Sequence, residues 1–501
     1  MCGLGGHGRT GRELSGMMGL TMFAAGAFLA VVTPNQFKDS ASDSVAIQAA
    51  VDFATKRGEA VTVPAWNERT GTNLWVISET IRLPSWATVY LENCRIEMAP
   101  KVFCNAFSNS KAWADDRNAA AAEEHDIRII GLGHAIIDGG EYNQYGERSV
   151  PGGGLVASSA ENAKRLPKRL VHNCPIYLHN VCGFEVRGIH VRHQRYWGVC
   201  CSFCSDGQIR DVRFEADISY VSDDGQTHDP NRRPVEYKNL WVKNGDGIDL
   251  RTGCNNILIE NITGWTEDDT VALTNLRGSE EADWVEGRST DIHHVVVRNV
   301  RAGCWKWMNL VRLLCTDGNR IHDIVLDTIV DIRQPDWDWR MASAVQLNDD
   351  SREYQTIRQP VMGELYNIEV RNVISGGYAA VRLFNPMQNV TVENVYLTEG
   401  AHAAVMAQAG AELKNVVVRN VHAAPAANLK AVFDFFGVRG DLKVSGVRGD
   451  AAENLERLAD CDVKIDYDDI RIGRLTRGRT QRIGKGDPNC CGRWYKCGVV
   501  E

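Results

Sequence analysis

The sequence predicts an all-β chain wound as a single-stranded, right-handed parallel β-helix with an N-terminal capping helix. Three observations predict it. The first is a repeat: NNILIENIT (255–263), HHVVVRNVR (293–301), HDIVLDTIV (322–330), YNIEVRNVI (366–374), QNVTVENVY (388–396) and KNVVVRNVH (414–422). Each copy alternates aliphatic and polar positions and carries Asn or a substitute before its last aliphatic residue. The second is a further short strand after most copies, such as TVALT, NLVRLL, SAVQL, AAVRLF, AAVMA or KAVFDFF. The third is the spacing: the closest copies lie roughly 22 to 29 residues apart, which suits one coil of a β-solenoid.

The elements can be justified in order. Residues 43–57 (DSVAIQAAVDFATKR) put Ile47, Ala50, Val51 and Ala54 on one helical face, and Gly58 is a stop signal. Such a helix covers the open edge of a first coil, which otherwise exposes unpaired backbone groups. The runs AVTVP, NLWVIS, TIRLP and ATVYLENCRIEM, separated by Pro, Asn and Ser, read as the first short strands. Stacked coils bury their aliphatic residues inward at a spacing of about 4.8 Å, and Asn at one point of every coil stacks as a hydrogen-bonded ladder. A helical solenoid is excluded because no repeat holds a helical period over ten residues, and a propeller because its blades need about 40 regular residues.

The 501 residues divide into an extension at 1–30, a β-helical domain at 31–475 and a basic, Cys-containing tail at 476–501. Residues 14–30 read as a signal peptide, giving a secreted protein, or as an upstream extension of a cytoplasmic one. With 56 basic and 64 acidic side chains the net charge is −8, which argues against a nucleic-acid partner. No repeated apolar spans occur after residue 35, so multi-span membrane insertion is not expected. Oligomeric state is not legible. Of the 15 cysteines, Cys94, Cys182, Cys200, Cys201, Cys254, Cys304 and Cys315 sit in apolar runs and read as buried thiols. Cys490, Cys491 and Cys497 match no zinc spacing.

Two acidic clusters carry the chemistry, NGDGID (244–249) and EDDT (267–270). Asp246 and Asp268 are 22 residues apart, one coil length, so Asp246, Asp268 and Asp269 are expected to share one outer patch. Carboxylates that close cannot all ionise freely, and a raised acid beside an ionised base is what glycosidic cleavage requires. Nucleotide, zinc-protease and serine-hydrolase signatures are absent, and neither cofactor nor metal is expected for this chemistry.

The stretch from about 176 to 274 resembles the polygalacturonase family, glycoside hydrolase family 28. The resemblance rests on NGDGID, on EDDTVAL (267–273) and on NNILIENI between them, with IIDGGEYNQYG (136–146) and the segment ending at Trp197 as weaker matches. It implies a carbohydrate polymer or oligosaccharide as substrate. Asp268 would be the general acid, and Asp246 and Asp269 would hold and activate water, giving inversion across carboxyl groups about 6.5–9.5 Å apart. Asn244, Asp249, Trp197 and His193 would line the substrate groove. The sequence also departs from the family: Asn309 stands where its Gly-His-Gly histidine is expected, and Gln346 and Asn348 where its Arg-Ile-Lys is expected. Arg312 and Arg382 lie on second strands and would face the same groove. Two readings of another class stay open, a Ca²⁺-dependent polysaccharide lyase or epimerase using the aspartates as ligands, and a non-catalytic carbohydrate-binding β-helix.

Overall fold

A computed structural model describes residues 31–100, 102–113, 121–140, 170–217, 220–221, 227–228, 245–276, 285–305, 308–332, 340–349, 357–408, 410–423 and 429–483. Twenty-six strands join in one sheet through parallel pairings that step from each coil to the next. The result is a right-handed parallel β-helix, as the repeat predicts.

The aliphatic alternation becomes columns of side chains along the axis. Ile209, Ile259, Val297, Leu326, Val370, Val392, Val418 and Val444 stand in register on successive coils, and all are buried. Each such burial contributes roughly 1.5–3 kcal/mol relative to exposure. The asparagine positions turn the corners. Asn261, Asn299, Asn372, Asn394 and Asn420 all hold φ between 53° and 58°, a left-handed conformation Asn tolerates better than most residues. Their side chains stack: Asn299 Nδ2 donates to Asn261 Oδ1 at 2.7 Å, Asn394 to Asn372 at 3.0 Å and Asn420 to Asn394 at 3.1 Å. A second ladder, at the first polar position of each repeat, runs through Asn367, Asn389 and Asn415.

The capping helix α1 spans Asp43–Arg57, with Ser42 Oγ accepting from Val45 N and Gly58 left-handed at its end. Its predicted face is the buried one. How it protects the edge is specific: its side chains bond the backbone of the first strands. Asp43 Oδ2 accepts from Val76 N at 2.8 Å, Ser44 Oγ from Ser78 N at 2.9 Å, and Gln48 Oε1 from Arg82 N at 2.7 Å while its Nε2 donates to Arg82 O. Asp43 Oδ1 also receives Asn67 Nδ2 and Arg69 Nε. Asp43→Ala strands these donors, so it is expected to destabilise the protein by about 3 kcal/mol. Chemical denaturation measures this; a loss no larger than that of an ordinary surface mutation would sink the capping account.

Two sequence expectations shift. The last strand, Asp462–Ile483, runs past the boundary expected at 475. Cys182 is part-exposed, whereas Cys94, Cys200, Cys201, Cys254, Cys304 and Cys315 are buried; it stands beside the left-handed corner at Gly183 rather than in the aliphatic column. The terminal cysteines lie outside the described residues.

Candidate active site

The second strands of successive coils place the predicted residues in two neighbouring columns on one outer face. In the first column Cys200, Asp249, Ala272, Arg312, Gln346 and Arg382 are in register, one per coil. Three residues upstream, Asp246, Asp269, Asn309 and Ser343 follow one another. The spacing read from the sequence needs a one-residue correction here. Ile248 pairs with Val271, 23 residues on, so Asp269 rather than Asp268 continues the coil from Asp246. Asp268 falls on the bend before the strand and remains part-exposed. The DGID turn needs its glycine for packing: a Cβ on Gly247 would lie 2.4 Å from Thr270 O.

Asp246, Asp268 and Asp269 each offer a carboxylate oxygen within 4.8 Å of the others. These are the nearest approaches of single oxygens, one from each carboxylate. Asp269 is fully buried, hydrogen-bonded through one oxygen and ion-paired through the other. Its Oδ1 accepts from Asn309 N at 2.8 Å and Asn309 Nδ2 at 3.0 Å, and its Oδ2 faces Arg312 Nε at 2.7 Å. Ser343 Oγ fixes Asn309 in turn, donating to its Oδ1 at 2.7 Å. Burial raises the Asp269 carboxyl above the ordinary range, and Arg312 and Asn309 offset part of the rise.

Asp246 has no such support. Its Oδ1 is buried with no hydrogen-bond partner. Burial first, then the charges of Asp249, Asp268 and Asp269, push its carboxyl well up, with Arg312 relieving only part. Asp268 Oδ1 accepts from Asp269 N at 2.9 Å, and Thr266 Oγ1 donates to the Asp268 carbonyl at 2.7 Å. The cluster thus holds a pinned carboxylate, a buried acid and one member open to the surface. That set can move protons to and from a bound molecule.

Several groove assignments are corrected. Asp249 is wholly buried, paired with Arg251 NH1 at 3.2 Å, and burial pushes its carboxyl up to about 7. It supports the site from beneath. Trp197 lies under the Arg251 guanidinium at 4.2 Å and is 2% exposed, so it offers no face for a sugar. Tyr196, stacked on Trp197, is equally buried. Asn348 occupies a corner at φ 65°, its Oδ1 accepting from Cys315 N and Asp349 N, because the backbone there needs a left-handed residue. His193 turns its Nδ1 to Asp138 Oδ1 at 3.2 Å, and this bond with that of Gly140 N lowers the Asp138 carboxyl in spite of burial. Gln346 and Arg382 do share the Arg312 column, Arg382 NH1 donating to Gln346 Oε1 at 3.0 Å. Asn244 lies outside the described residues.

Three further residues support the site without having been expected there. Gln194 Nε2 donates to Gly245 O and Asp246 O, Glu267 accepts from Gly245 N at 2.8 Å, and Ser343 anchors Asn309. Glu267 is visible in the sequence beside Asp268 as a third acid. Gln194 and Ser343 carry no local signal, since they reach the site across coils of unequal length.

Fold and site together define a class: a right-handed parallel β-helix protein with a buried aspartate cluster on one outer face. No protein-family model matches the sequence, and no curated protein matches it. Solved structures share the fold. Bacteriophage phi29 gene product 12, in its pre-mature form, aligns with TM-score 0.53 at 12% identity over 89% of this chain and 57% of that one. The Streptococcus pneumoniae surface adhesin PfbA aligns with TM-score 0.49 at 12% identity over 91% and 94%. The family 28 exopolygalacturonase of Yersinia enterocolitica aligns with TM-score 0.45 at 15% identity over 91% and 78%. At such identities the likeness is one of fold, a right-handed parallel β-helix.

Proposed function

We propose that the protein is a glycoside hydrolase acting on a polysaccharide or oligosaccharide, similar in its aspartate arrangement to the polygalacturonases. The observation that carries this reading is the aspartate triple, three carboxylates within 4.8 Å of which one is pinned by a guanidinium and an amide. Three such groups cannot all be ionised at neutral pH, so the cluster retains a proton. Arg312 and Asn309 favour the ionised form of Asp269 more than that of its neighbours. Asp246, whose carboxyl is pushed well up by burial and by its neighbours, therefore holds the cluster's proton and exchanges it with Asp268. Asp268, the member open to the surface, delivers it to the leaving oxygen, and Asp269 receives the proton of attacking water. The proton that Asp269 took from water then passes by way of Asp246 to Asp268, which restores the starting state of the cluster.

The substrate differs from that of a typical polygalacturonase at the points where the sequence does. Arg312 is already engaged by Asp269, and Gln346 and Asn348 replace the residues with which that family would grip a uronate. Among the groove cations, Arg382 bonds only a neutral amide among the described residues and is the group available to a substrate anion.

The test is a panel of pectin, homogalacturonan, rhamnogalacturonan and neutral glycans, reading both new reducing ends and the ultraviolet absorbance of unsaturated products. New reducing ends without absorbance, insensitive to chelator, are expected. One observation favours a second reading: three oxygens within reach of a single ion, with Asp246 Oδ1 unpartnered, also suit Ca²⁺. Absorbance that disappears with chelator would replace the hydrolase by a calcium-dependent lyase, and chelator-sensitive change in sugar configuration without cleavage would replace it by an epimerase. Binding without either product would leave the non-catalytic reading.

A further inference from the structure

Away from the aspartate cluster, the corner at the start of the strand Glu124–Asp138 gathers a different set of donors. His125 lies on that strand and is in register with Cys182 on the strand Val181–Arg192, one coil further along. Glu123 directly precedes the strand that carries His125. An oxygen of Glu123, a ring nitrogen of His125 and the sulfur of Cys182 all lie within 4.8 Å of one another. His125 Nε2 is 3.9 Å from Glu123 Oε1, and Asp206 Oδ2, on the following coil, is 3.5 Å from Cys182 Sγ.

Packing sets this corner apart from most other thiols; among the described residues only Cys461 is also part-exposed. Cys94, Cys200, Cys201, Cys254, Cys304 and Cys315 are buried in the solenoid, whereas Cys182, His125 and Glu123 are all part-exposed, which leaves an entry path. The Trp86 ring stacks on His125 at 5.9 Å and 25°, which restrains the imidazole. The donor chemistry is also distinct. Sulfur, nitrogen and oxygen together suit a borderline metal such as zinc, while the oxygen-only aspartate cluster suits hard cations. Arg288 is the competing partner, since it forms an ion pair with Glu123 that a metal would displace.

We propose that Glu123, His125 and Cys182 form a Zn²⁺-binding site on the outer corner of the β-helix, with Asp206 beside the thiol. The ion bridges successive coils through side chains from different strands, and so staples the N-terminal part of the solenoid where the coils begin. The inference is independent of the hydrolase reading, because none of its residues belongs to the aspartate cluster.

The test uses the full chain, reduced and metal-free, titrated with Co²⁺ as a coloured stand-in and then with Zn²⁺. The expected result is one Co²⁺ per chain with a sulfur-to-cobalt absorption band, displaced by Zn²⁺ and indifferent to Ca²⁺. Cys182→Ser should abolish the band and weaken Zn²⁺ binding at least tenfold, and His125→Gln, which keeps the thiol, should weaken binding as well. Replacing Cys490, Cys491 and Cys497 together by Ser should leave the band intact. Zn²⁺ should raise the melting temperature of the wild type and not of Cys182→Ser, by linkage to the folded state. No band with excess Co²⁺, a band that survives Cys182→Ser, or a band lost with the three tail cysteines would each overturn the site.

Discussion

Asp268→Asn is expected to slow hydrolysis by about 10²–10⁴-fold while leaving the melting temperature near that of the wild type. The substitution keeps the shape of the side chain. Its Oδ1 still accepts from Asp269 N, the 2.9 Å bond that shapes the bend. What it removes is the proton that reaches the surface of the cluster. Reducing-end release on the best substrate of the panel measures the first quantity and calorimetry the second. Undiminished turnover would remove Asp268 from the chemistry, and a large loss of melting temperature would make its role structural.

Arg312→Met should cost about 3–5 kcal/mol at pH 8, because it leaves the fully buried Asp269 carboxylate without its cation. The cost should depend on pH with a definite sign. Burial already raises the Asp269 carboxyl, with Arg312 the largest opposing influence; losing the guanidinium raises it further. A group whose folded value lies above its unfolded one contributes stability that is present at low pH and lost as pH rises through the folded value. The variant should therefore lie closer to the wild type at pH 4 than at pH 8, because protonation of Asp269 removes the uncompensated buried charge. Denaturant titrations at the two pH values decide this, and a difference that is flat in pH would show that Arg312 acts through packing alone.

Much of the fold is legible because its causes are local. The 43–57 helix shows in its apolar face and its glycine stop, and the same face is the buried one. The repeated asparagines fall on left-handed corners and stack as expected. The second ladder is harder to see because its position tolerates Asp and His as well as Asn, so it lacks a single letter to follow. Trp197 departs from expectation for another reason: aromatic character says nothing about which face of a coil a side chain takes, and here it lies beneath Arg251.

The aspartates are legible as a group and not as an arrangement. Their nearness is implied by a coil length of about 22 residues, but the paired strands are offset by 23, which exchanges the places of Asp268 and Asp269. Further along, Asp269 meets Asn309 across 40 residues and Asn309 meets Ser343 across 34, since loops of different length leave the solenoid between strands.

The coil itself is written in the linear chain: alternation selects strands, aliphatic columns make stacking favourable, and Asn permits the corners, all within a few residues of one another. Which carboxylate is pinned, which is buried without a partner and which is open emerges only on folding. Those properties depend on hydrogen-bonded register and burial between residues of different coils, and loop length, to which register is indifferent, hides them in the linear order.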